Sequence, residues 1–148
     1  MYEKLERLKA EHAALNETIT SLLPRIGRRP VCRLAIDATL AFLDLRVSHH
    51  ELDEEQLFAG SGMDPDAANA LADAHQQVND IRTRLRLGLS DWPEGAPAPD
   101  EAEDMACLAE EALYFLQHHF GQEERLFKRQ IFRTTRPPQT GRAIETTA

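Results

Sequence analysis

Apolar residues recur at every third and fourth position through most of this chain, which is the period of one helix face. Leu5, Leu8, His12, Leu15, Ile19 and Leu22 form the first such stripe and predict a helix from about Tyr2 to Leu23, ended by Pro24. A stretch with Gly and Pro, Pro24 to Pro30, leads to a second helix from about Val31 to Phe58, closed by Gly60-Ser61-Gly62. Asp64 followed by Pro65 supplies an N-cap and first-turn pair for a third helix, expected to reach Leu87 and stop at Gly88. The segment WPEGAPAPD is too proline-rich for regular structure, and a fourth helix is expected from about Asp100 to Arg133. The remaining residues, 134–148, carry no periodicity and few apolar groups, the pattern of a flexible tail.

No segment reads as a strand. Four long amphipathic segments with modest connections predict an all-α protein, an antiparallel up-down-up-down four-helix bundle over residues 1–133. At 148 residues the chain is long enough for one domain with one substantial core.

Within this pattern one motif occurs twice, as HHELDEEQLF from His49 to Phe58 and as HHFGQEERLF from His118 to Phe127. Each copy follows, at a distance, a lone histidine on a helical stretch, His12 or His75. The chain therefore reads as a duplicated unit, a histidine followed by His-x-x-x-Glu. Four histidines and two glutamates delivered this way are the ligand set of a two-metal site, since imidazole suits iron and other transition metals and a carboxylate can bridge two ions. At about 1.5 Å rise per residue, counted from the end where the first and third helices begin, the candidates lie about 9 to 20 Å in, within one layer of the bundle.

Only one histidine of each adjacent pair can point inward, because helix neighbours are about 100° apart. Choosing His49 and His118 would place Asp53 and Gln122 one turn on, and an amide is a poor substitute for a bridging carboxylate. Choosing His50 and His119 places Glu54 and Glu123 there, the same acid in both copies. The candidate ligands are thus His12, His50, Glu54, His75, His119 and Glu123, with His49, His118, Glu55 and Glu124 as outer or surface groups. Inward glutamates need such partners, because an unpaired buried carboxylate costs several kcal/mol.

Charge and composition narrow the remaining classes. A formal net charge of −8 argues against a general nucleic-acid binder, which needs a basic face. Arg25, Arg28, Arg29 and Arg33 cluster where the first helix ends, a place where arginines complement the helix dipole. No apolar run approaches the roughly 18 to 20 residues of a membrane span. The charged N-terminal segment lacks the apolar core of a leader peptide, so a cytoplasmic location is expected. Cys32 and Cys107 stand apart and predict neither a disulfide framework nor a zinc ribbon.

From about residue 5 to 133 the chain resembles the hemerythrin-like, or HHE cation-binding, domains of bacteria. The resemblance implies that His12, His50 with Glu54, His75, and His119 with Glu123 bind a pair of non-haem irons, bridged by the carboxylates and an oxide or hydroxide. Oxygen-carrying hemerythrins add a histidine one turn after the third-helix ligand, where Asn79 stands here, and end on an aspartate five residues after its histidine, where this chain has Glu123 at spacing four. Each iron would then have five donors and one open position for O2, NO or peroxide. The expected role is binding or sensing of such a ligand. A di-iron peroxidase or oxidase, an iron-donating repair protein, and an interaction protein with a structural or vestigial metal are the alternatives. A protein partner is compatible with a sensing role, and the exposed helix faces do not forbid a homodimer.

Overall fold

The computed structural model describes residues 2–59 and 62–135, the side chains as far as residue 132. Helix α1 spans Tyr2–Ile26, α2 Arg33–Phe42, α3 Ser48–Ala59, α4 Pro65–Ser90 and α5 Ala102–Thr135. A π-helical turn, Leu43–Val47, joins α2 to α3, so the two helices form one rod with an interruption. The four rods make an all-α bundle in which α1 and α4 each pack against α2 and against α5.

The stripe on α1 is buried from Leu5 to Ile26, and the helix runs two residues past Pro24. Proline removes one amide from the helix ladder and does not by itself end the turn in progress. Ile26, only 1% exposed, gains enough burial to hold that last turn, and the amide of Gly27 closes on the Leu23 carbonyl at 3.0 Å. Arg29 then caps the end, donating to the carbonyls of Ile26 and Arg28 at 3.0 Å and pairing with Glu103 at 2.8 Å. Arg33 donates to the Trp92 carbonyl at 2.6 Å, so part of the arginine cluster ties helix ends to loops.

Helix α4 also outruns its expected stop, passing through Gly88 to Ser90. The glycine serves a close approach: a Cβ there would lie 2.7 Å from the terminal methyl of Met105 on α5. Asp64 occupies the N-cap position with extended ψ, although its side chain makes no capping bond, and Pro65 fills the first turn. The proline-rich loop contains turns as expected, yet it contributes Trp92 to the core, with its indole N–H donating to the Ala96 carbonyl at 3.1 Å. Thr134 and Thr135 continue α5, and the rest of the expected tail lies outside the described residues, as do Gly60 and Ser61.

Two apolar clusters fill the bundle. The larger runs from Leu15 and Ile19 through Leu43, Val47, Val78, Leu85, Leu113 and Phe120. The smaller holds Leu5, Leu8, Phe58, Leu71, Phe127 and Ile131 near the opposite end. On every rod the residues between these clusters are the histidines and glutamates of the repeated motif. A polar layer therefore lies between two apolar clusters. Among the described residues, no helix is long and apolar enough to cross a membrane.

Candidate metal centre

The structure brings His12, His50, Glu54, His75, His119 and Glu123 together, each at most 8% exposed. Glu123 reaches across the layer, with Oε1 2.6 Å from His119 Nε2 and Oε2 3.2 Å from His12 Nε2. Glu54 Oε1 stands 3.1 Å from His50 Nε2 and 3.7 Å from His75 Nε2. The side chains fall into two sets able to hold an ion, His12, His50, Glu54 and Glu123 in one, and His75, His119 and Glu123 in the other. His49 and His118 are exposed, and His49 faces Asp53 at 3.5 Å.

Three of the four inward histidines are held from behind by a carboxylate on a neighbouring rod. Nδ1 of His12 donates to Glu124 at 2.8 Å, that of His50 to Glu11 at 3.0 Å, and that of His75 to Glu55 at 3.3 Å. An ionised carboxylate only accepts, so these bonds keep a proton on Nδ1 and turn Nε2 inward, where it carries a second proton when the ring is cationic and a free lone pair when the ring is neutral. Nε2 of His12 and of His50 then approach within 3.0 Å of each other. Phe120 stacks on the His12 ring with centroids 4.4 Å apart, and Phe115 stacks on His119 at 5.5 Å, which fixes both ring planes.

Electrostatics follow from this crowding. Burial works to raise the Glu54 pKa, but the imidazoles of His12, His50 and His75 gathered round it and the charge of His50 outweigh it and hold the carboxyl well below its usual range. Burial works to lower His50 and His75, yet both are raised, His50 by Glu54 and Glu11, and His75 by Glu54, Glu51 and Glu55. His119 is lowered, chiefly by burial.

Sequence reasoning missed Glu11, Glu51 and Arg82. The signal for Glu11 was its place beside His12, matching Glu55 beside Glu54 and Glu124 beside Glu123: each of the three acids next to a candidate ligand serves a histidine on another rod. Arg82 is buried, donating to the Leu43 carbonyl at 3.0 Å, to the Ser48 hydroxyl, and to Asn79 Oδ1 at 3.1 Å, with Glu51 Oε2 3.8 Å away. Leu43 also accepts the Ser48 amide, five residues on, so Arg82 grips the π turn that leads into His50 and Glu54. Burial raises the Glu51 pKa against the opposing pull of His75 and Arg82. Arg82→Ala should cost about 3 kcal/mol in urea unfolding of metal-free protein, because Glu51 would stay buried without its cation. A loss below about 1 kcal/mol, within the range of ordinary surface changes, would show that Arg82 is no clamp.

The sequence model of the hemerythrin HHE cation-binding domain matches residues 3–131. The chain belongs to the hemerythrin HHE cation-binding family. Neither the curated proteins nor the solved structures gave a match. Family and buried cluster together make this a cation-binding hemerythrin domain. Asn79, at the position where oxygen-carrying hemerythrins have a further histidine, is engaged with Arg82.

Proposed function

We propose that this hemerythrin domain holds two irons, one by His12 and His50 and one by His75 and His119, with Glu54 and Glu123 shared, and that it binds or senses O2, NO or peroxide. The observation that carries the reading is a set of unsatisfied buried atoms. Both carboxylate oxygens of Glu54 and the Nε2 atoms of His75 and His119 are shut off from water and make no well-directed hydrogen bond, although Glu54 Oε1 and His50 Nε2 stand 3.1 Å apart and His119 Nε2 and Glu123 Oε1 2.6 Å apart. Leaving such groups unpaired is expensive, and cations between them would remove the cost. The donor set of imidazole nitrogen and carboxylate oxygen suits iron.

Bound iron would supply a redox couple and an exchangeable coordination position. The chain's part is to hold Nε2 inward through Glu124, Glu11 and Glu55, to fix the ring planes with Phe120 and Phe115, and to cover the two ends of the layer with the apolar clusters. Asn79 bonds to Arg82 and adds no imidazole, so each iron would have two protein nitrogens.

The test is metal content and optical spectrum of protein expressed in iron-rich medium, expected to give about two irons per chain and an oxo-bridged ferric band in the near ultraviolet. Protein that takes up no iron on reconstitution and shows no such band sinks the reading. His50→Ala and His119→Ala should at least halve the iron, while His49→Ala and His118→Ala leave it unchanged, because the second pair faces solvent. The opposite ranking would place the ligands on the wrong histidines.

A further inference from the structure

The four histidines are not equally supported. His12, His50 and His75 each have a carboxylate behind the ring, whereas His119 pairs only with Glu123 in front, and the neutral amide of Gln122 stands beside it. That side of His119 opens on a cleft of about 510 Å3 between α4 and α5, within the size range of small-molecule sites. Leu71, Phe115 and Leu126 give it an apolar wall, and Arg125 and Arg129, one helical turn apart, also line it. Among the described residues neither arginine has an ion-pair partner. In a chain of net charge −8 this is a local reversal of sign.

We propose that this cleft binds a small organic carboxylate with an apolar body, which docks on Arg125 and Arg129 and gives His119 the anionic neighbour that the other three histidines receive from the chain. The guanidinium fork matches a carboxylate in two parallel hydrogen bonds. Phe115 and Leu126 accept the apolar body, so the ligand is amphipathic and not an inorganic ion. Asp73 on the α4 side leaves the cleft a net positive charge, and the apolar wall adds contact with the body of an organic carboxylate that an inorganic phosphate lacks. The consequence for the metal centre rests on the reading of His119 as a ligand: an anion behind an imidazole raises its basicity, so occupancy of the cleft would tune one iron and leave the other alone.

The experiment is calorimetric titration of the full chain, metal-free, with benzoate, its neutral isostere benzamide, and inorganic phosphate. Metal-free protein keeps the result separate from the iron reading, since a failure to bind iron leaves these titrations as decisive as before. Benzoate should bind once per chain, and benzamide and phosphate about tenfold more weakly or worse, the worth of a charge-assisted bond. The double variant Arg125→Gln, Arg129→Gln should lose about the same factor with its circular dichroism unchanged. Gln122→Glu should also weaken benzoate, by placing a fixed carboxylate where the ligand's would sit. Equal affinity for benzoate and benzamide, full affinity in the double variant, or tighter binding of phosphate would each overturn the proposal.

Discussion

Glu123→Gln should reduce bound metal from about two ions per chain to fewer than one and should erase the thermal stabilisation that metal confers. Glu123 is the one side chain belonging to both ion-holding sets, with one oxygen on the His119 side and the other on the His12 side. A glutamine keeps the shape but presents an N–H2 group to one of those positions, and an amide cannot bridge two cations. Both ions should be lost or weakened together. Binding that favours the folded state contributes about 4 kcal/mol when free metal exceeds its dissociation constant a thousandfold, which for a chain of this size is about 10 °C in melting temperature. The metal-free variant should melt no lower than metal-free parent protein, because the substitution removes a buried charge. That comparison separates loss of a ligand from loss of the fold. A variant that retained two ions and the full shift would show that Glu123 is not shared between them.

The bundle and the six converging residues were legible because both signals are periodic. A stripe every three or four residues gives a helix, and a motif used twice gives a symmetric site. The features that escaped the sequence share one physical character: they depend on distances between rods. Gly88 reads as a stop until Met105 is seen packed against it, and Pro24 reads as a terminus until the burial of Ile26 is known. The π turn changes no residue type, because one extra residue per turn rotates α3 relative to α2 without altering composition. Arg82 and Glu51 belong to no motif that singles them out, and only the closeness of α4 to the second rod makes them a buried cluster.

Metal affinity should fall steeply as the pH drops, and the fall should begin above the ordinary histidine value of about 6.5. In metal-free protein His50 and His75 are raised by Glu54, Glu11, Glu51 and Glu55, so protons occupy these nitrogens at a pH where free histidine is neutral. Their protonated forms stabilise the metal-free fold fully below about 6.5, and that contribution is lost as the pH rises through the raised values. Glu54 is depressed, so its contribution is present above the usual carboxylate range and lost only as the pH falls through its lowered value. His119 acts oppositely: its lowered value means that the unfolded chain takes up a proton first, and stability is subtracted as the pH falls below about 6.5. Metal-free protein should therefore keep most of its stability in mild acid, while the metal-loaded form loses its advantage. With two protons to displace, affinity should change by up to roughly a hundredfold per pH unit between the raised values and neutrality. Equilibrium dialysis with cobalt(II) across pH 5.5 to 8, beside melting curves with and without metal, would measure both. An affinity that stayed flat over that interval would mean that protons and metal do not compete for His50 and His75, and the assignment of those nitrogens as ligands would fall.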